Sequence, residues 1–179
     1  MHPTVPEAAS THIRSARLQT LYDYWQAKRL NRPMPSRADI DPIEIQPSLL
    51  PYLLLVEVVD NGRRFRYRLA GTAFREIAGV ELTGRYVDEI LPGSIYSGYI
   101  VELHREAVAT RRPIYSESAH VSPTGGVERF FRRLMLPLSV DGISIDMVLA
   151  GEVFDRPRFD LTRSTLQQGE FREEVRLLL

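Results

Sequence analysis

Residues 54–69 read Leu54-Leu55-Val56-Glu57-Val58-Val59-Asp60-Asn61-Gly62-Arg63-Arg64-Phe65-Arg66-Tyr67-Arg68-Leu69. Apolar residues alternate on both sides of Asn61-Gly62, a dipeptide that tolerates the positive φ values demanded by a type I′ hairpin turn. With Asp60 facing Arg63, Val58 meets Phe65, Val56 meets Tyr67 and Leu54 meets Leu69, so these apolar side chains share one side of the ribbon. The reverse side sets Glu57 opposite Arg66, an opposite-charge cross-strand pair worth about 0.2–1 kcal/mol. The spacing predicts a half-buried antiparallel hairpin.

Asp141-Gly142 reads the same way, placing Val140 opposite Ile143, Leu138 opposite Ile145, Leu136 opposite Met147 and Leu134 opposite Leu149, with Met135 and Val148 on the reverse side. A third strand over Ile114 to Val121 precedes this pair across Ser122-Pro123-Thr124-Gly125-Gly126, a loop too long to fix a register. Between the strand groups, Thr72 reads as the N-cap of a short helix to about Ala78. Ser94 reads as the cap of a longer helix with the stripe Tyr96, Tyr99, Ile100, Leu103 and Ala107. Upstream, Leu18, Leu21, Tyr22 and Trp25 mark an amphipathic helix from about Thr11 to Leu30, which the prolines of Asn31-Arg32-Pro33-Met34-Pro35 end. Asp41-Pro42-Ile43-Glu44 carries the signature of one short helical turn.

The remaining composition narrows the class. The 179 residues are 44% hydrophobic and 26% charged, as in a soluble globular domain. Twenty-three basic residues balance 23 acidic ones, which argues against binding nucleic acid or an anionic membrane through the whole surface. No apolar run approaches the ~20 residues that span a bilayer, and the N-terminal residues lack a basic segment followed by an apolar one, so a cytoplasmic protein with no membrane partner is expected. Without cysteine there is no disulfide, thiolate metal site or thiol-linked chromophore. The chain divides into a frayed end (1–10), a helix and linker (11–48), a main domain (49–155) and a weakly helical tail (156–179).

Tyr24-Trp25, Asp39-Ile40-Asp41-Pro42, Phe65-Arg66-Tyr67-Arg68-Leu69-Ala70-Gly71-Thr72 and Leu136-Pro137-Leu138-Ser139-Val140-Asp141-Gly142 resemble a family of short bacterial PAS-type proteins of unassigned function. The resemblance covers about Leu18 to Phe154. It implies an α+β fold, a PAS-like five-stranded antiparallel sheet cupped by helices, with an N-terminal amphipathic helix. It also implies a sensory or protein-interaction module that holds a small molecule, or nothing, between sheet and helices and commonly dimerises through its first helix. It brings no catalytic residues. Lacking cysteine, this chain departs from members carrying a cysteinyl-flavin or thioester chromophore. No kinase, cyclase or DNA-binding region follows, so action by association with a signalling partner is expected.

The expected pocket is lined by Val56, Tyr67, Leu69, Tyr99, Leu103, His104, Arg132, Leu136 and Met147. Arg132 falls on the side of Leu134 and Leu136, opposite Gly151, where it must meet an anion. The favoured reading is a bulge or a structural pair with a carboxylate such as Glu117; the functional one is a bound carboxylate or phosphate. His104 sits broadly where haem-binding PAS proteins place an axial histidine, yet a histidine at the edge of the core is the favoured reading. His2, His12, His104 and His120 show no metal-ligand spacing, so no metal is expected. Arg63, Arg64, Arg66 and Arg68 read as a solvated face shared with Glu57 rather than a nucleic-acid surface, because no aromatic interleaves to stack bases.

Nucleophile-elbow, Walker and dinucleotide motifs are absent, so no enzyme is expected. The alternative is a small-molecule enzyme or carrier on a cone-like α+β fold, distinguished by a histidine or acid deep in the cavity. A homodimer is expected through Leu18, Leu21, Tyr22 and Trp25 on the first helix and through Met135 and Val148, with Phe131 and Phe154, on the sheet.

Overall fold

The computed structural model describes residues 12–121, 129–154 and 170–179. The expected frayed end at 1–10 and the first part of the tail lie outside them. Helix α1 spans Ala16–Arg29, and the Ser15 hydroxyl accepts the Leu18 N–H at its start. After the proline linker, Asp41 caps a single 3-10 turn over Pro42–Glu44 by accepting the Ile43 N–H at 2.9 Å. A further turn over Pro47–Tyr52 leads into the sheet.

Strands β1 (Leu53–Val59) and β2 (Arg64–Ala70) form the expected hairpin. Asn61 and Gly62 both hold positive φ, 54° and 83°, and the Arg63 N–H closes the turn on the Asp60 carbonyl at 3.2 Å. The register follows the count from Val59 and Arg64 to Val56 and Tyr67. It then slips: a bulge leaves Leu55 opposite Leu69 and Leu54 opposite Ala70. Because side chains alternate with period two, this one-residue slip turns Leu69 to the outer side of the sheet. The expected Leu54–Leu69 pair does not form.

Helices α2 (Thr72–Ala78), α3 (Val87–Ile90) and α4 (Ile95–Thr110) follow. Ser94 caps α4 as expected, accepting the Ser97 N–H at 3.0 Å. Thr72 is the first residue of α2 rather than its cap; Gly71 holds that position, with no side chain to contribute. Strands β3 (Ile114–Val121), β4 (Arg129–Leu138) and β5 (Met147–Phe154) complete the expected set. The second hairpin is built differently. Asp141 does not enter a two-residue turn; its carboxylate accepts the Ile143 and Ser144 N–H groups at 2.8 and 2.7 Å, while Asp146 accepts that of Val140 at 2.8 Å. This wider loop, 139–146, shifts the register by two residues, so Leu138 meets Met147, Leu136 meets Leu149 and Arg133 meets Glu152.

A sixth strand, β6 (Glu170–Leu178), pairs with β3, and the sheet order is β2-β1-β5-β4-β3-β6, antiparallel throughout. It corrects the expectation of a helical tail. Glu, Arg and Leu favour a helix, but pairing along all of β3 decides the outcome. Arg176 fastens the strand to α4 through Glu102 at 2.9 Å and Glu106 at 2.7 Å.

The sheet is covered on both faces. Helix α1 lies over the outer face of β4 and β5, burying Leu18, Leu21, Tyr22 and Trp25 against a side that includes Leu134, Leu136, Leu138 and Leu149. The Trp25 indole N–H donates to the Pro137 carbonyl at 3.0 Å. Gly151 permits the close approach, since a Cβ there would lie 2.6 Å from Leu21 Cδ2. Helices α2–α4 cover the inner face, where Leu54, Phe65, Tyr67, Phe131, Met135 and Ala150 are buried. The apolar sides of the two hairpins therefore do not share one interior, as the sequence count assumed. Those of the first face α4; those of the second face α1. No helix among the described residues is long and apolar enough to cross a membrane.

Candidate functional site

The inner face of β4 and β5 carries Phe131, Arg133, Met135, Ala150 and Glu152 toward α4 and encloses, with α2 and α3, a cavity of about 70 Å³. Arg133 is 1% exposed, which demands a full set of partners for its guanidinium. It has them. Nε donates to Glu152 Oε2 at 3.0 Å, one terminal nitrogen to Ser118 Oγ at 2.7 Å and the other to the Tyr96 hydroxyl at 2.8 Å. Its plane also lies 4.6 Å from the Phe131 ring centroid. Burial opposes the charge, but Glu152, Tyr96 and Tyr99 outweigh it, and the pKa moves further up. The ion pair carries no net charge into the cavity.

Tyr67 and Tyr96, deep in the same layer, are pushed above the ordinary phenol range, chiefly by desolvation, and stay protonated at neutral pH. His104 forms part of the wall from α4. Its Nδ1–H is turned back onto the Ile100 carbonyl at 2.8 Å, which fixes the neutral tautomer. Burial lowers its pKa to about 4 against the smaller opposing effect of that hydrogen bond. Its Nε2 is buried and has no hydrogen-bond partner among the described residues. An apolar-walled chamber with one open acceptor, two phenols and a closed ion pair can hold a small molecule by a directed hydrogen bond.

Of the expected pocket residues, Tyr67 and His104 line this cavity. Val56 and Leu103 are fully buried in the core but form no part of its wall. Tyr99 turns to β6, its ring tilted against that of Phe171 with centres 4.5 Å apart, and donates to Glu173 at 3.1 Å; its hydroxyl is pushed up to about 12, mainly by burial. Leu69 is 46% exposed on the outer face because of the bulge. Leu136 and Met147 lie on the outer side of β4 and β5, away from the cavity. Arg132 is also outside it. Its Nε is 3.6 Å from Glu117 Oε1, the structural pair favoured from sequence.

Arg133, Glu152 and Ser118 were not singled out by the sequence. Read with the two-residue shift, Arg133 and Glu152 are a cross-strand ion pair; without it, Arg133 faces Ala150 and the signal is lost. The expected dimer surface is corrected as well. Leu18, Leu21, Tyr22 and Trp25 are at most 4% exposed, and Met135 and Val148 at most 2%, each buried within its own chain. The arginine strand is solvated and paired, Arg66 with Glu57 at 2.5 Å and Arg64 with Asp88 and Glu89 at 3.0 and 2.8 Å. The chamber beside His104 is far below the ~300–1,000 Å³ of ordinary ligand pockets.

A six-stranded antiparallel sheet holding a small chamber under a long helix is an α+β architecture of PAS-like form. A PAS domain family model matches residues 13–149, and the chain belongs to the PAS domain family. No curated protein matches it.

Proposed function

We propose that this protein is a sensory module whose input is a small neutral molecule held in the chamber under α4, and whose output is association with a signalling partner. The observation that carries this reading is the unpartnered Nε2 of His104 at the chamber wall. A buried acceptor without a donor costs about 1–3 kcal/mol, so a ligand supplying an O–H or N–H donor recovers that cost on binding. Family membership supports the class, because PAS domains are generally sensory or interaction modules rather than enzymes.

Nitrogen-15 spectra of the histidine side chains test it. With 2-propanol and acetamide as probes, the Nε2 resonance of His104 is expected to shift saturably, and His104→Phe to remove the response. A resonance unmoved by either probe overturns the ligand reading and leaves an interaction role alone. A specific observation also keeps the enzyme or carrier reading in play: a histidine and an acid, His104 and Glu152, do line the cavity. Glu152 is committed to Arg133, so His104 is the one base available there among the described residues, and catalysis would follow a single ionisation near pH 4.

A further inference from the structure

A second, larger concavity of about 470 Å³ lies outside the chamber, where the linker before β1 passes over the β1–β2 end of the sheet. Its buried floor includes Ile40, Ile45, Leu53 and Leu149. The walls are unusual in being apolar and open to water, with Leu69 46% and Leu50 37% exposed. The bulge after Leu55 produces this arrangement, since without it Leu69 would turn inward with Leu54. Bulges that re-aim one side chain are features of functional surfaces as well as of sheet edges.

The groove is preformed. Pro42, Pro47 and Pro51 restrict the linker's backbone, and the linker is clamped to the start of α2 at Gly71, where any Cβ would lie 2.2 Å from the Pro51 carbonyl oxygen. Among the described residues one ionisable side chain lines it, Arg37. The Arg37 guanidinium donates from one terminal nitrogen to the Ile40 carbonyl at 2.9 Å and pairs with no carboxylate among the described residues. A single uncompensated guanidinium beside a rigid aliphatic channel is complementary to a molecule with one anionic head and a hydrocarbon tail. The planar fork of arginine favours a carboxylate head, which it can bind through two parallel hydrogen bonds.

We propose that this groove binds a free aliphatic monocarboxylate, its carboxylate on Arg37 and its chain along Leu55, Leu69 and Leu149. The site is separate from the chamber under α4 and does not depend on the sensory reading given to that chamber.

Titrating the full chain with decanoate, kept below its micelle concentration, tests the assignment by calorimetry together with amide chemical shifts. Saturable one-to-one binding is expected, with shifts at residues 37, 55 and 69 and none at the His104 side chain. Arg37→Gln is expected to weaken binding about tenfold, and 1-decanol to bind the unaltered protein about tenfold more weakly than decanoate, each corresponding to the loss of one charge-assisted contact. Leu69→Glu is expected to abolish binding, with an unchanged circular dichroism spectrum showing that the fold survives. Equal affinity for decanoate and 1-decanol, or no effect of Arg37→Gln, overturns the carboxylate assignment. Absence of decanoate binding, together with a concentration-dependent dimer that Leu69→Glu dissociates, overturns the proposal by showing the groove to be covered by a second copy.

Discussion

The two faces of one sheet, drawn from alternate residues of the same strands, are put to different uses. Under α1, Leu134, Leu136, Leu138 and Leu149 meet Leu18, Leu21 and Trp25, and Gly151 is kept bare so that the helix can sit close. Under α4, Arg133 and Glu152 interrupt the apolar surface, aromatic rings surround them, and a chamber remains. The outer face carries stability through close packing. The inner face gives up packing for polar groups that must be satisfied, and His104, facing it from α4, is satisfied on only one side of its ring.

Breaking either face should have a distinct signature. Trp25→Ala is expected to have the largest effect, destabilising the fold by about 3–5 kcal/mol through the cavity it leaves, and by more if the Pro137 carbonyl stays unbonded. Denaturant midpoints read the loss, and the His104 nitrogen spectrum should stay as it is. Glu152→Leu is expected to cost about 3 kcal/mol or more by leaving Arg133 buried without its counter-charge. Pairing it with Arg133→Met should recover most of the loss, whereas a double variant as unstable as the single one would show that the ion pair is not the source.

Acid sharpens the contrast further. The folded His104 titrates near pH 4 and the unfolded one near 6.5, so the unfolded chain takes up the proton first as pH falls. Stability from this residue is complete above about pH 6.5 and declines toward pH 4, by up to about 3 kcal/mol over that window. His104→Phe should flatten the dependence in unfolding curves taken at successive pH values; an unchanged slope would mean that the histidine is not held neutral. The smallest effect belongs to the outer hairpin pair. Glu57→Ala should cost no more than about 1 kcal/mol, because both partners remain partly in water.

The sequence revealed the elements better than their faces. Asn61-Gly62 set the first register because its turn needs only backbone geometry, and the count failed at Arg68 because a bulge leaves no mark in an alternating run. Asp141-Gly142 misled because the aspartate organises the loop with its side chain instead of its backbone. The resulting two-residue error preserved which residues share a side, yet it hid the opposition of Arg133 and Glu152. Choosing the interior was a separate difficulty. Both sides of β4 are buried, so alternation alone does not tell the chamber side from the seat of α1. Strand β6 was illegible because its residues favour a helix until β3 pairs with them. His104 lines the chamber, but its open nitrogen depends on ring orientation, which spacing does not encode.

The ring of Tyr96 belongs to two structures at once. Its hydroxyl accepts from Arg133 at 2.8 Å, and its edge meets Phe171 of the last strand with the ring centres 6.0 Å apart. The same guanidinium lies over Tyr99, whose ring centre is 4.5 Å from that of Phe171 and whose hydroxyl donates to Glu173. The chamber and the far margin of the sheet are thus joined through two tyrosine rings of α4.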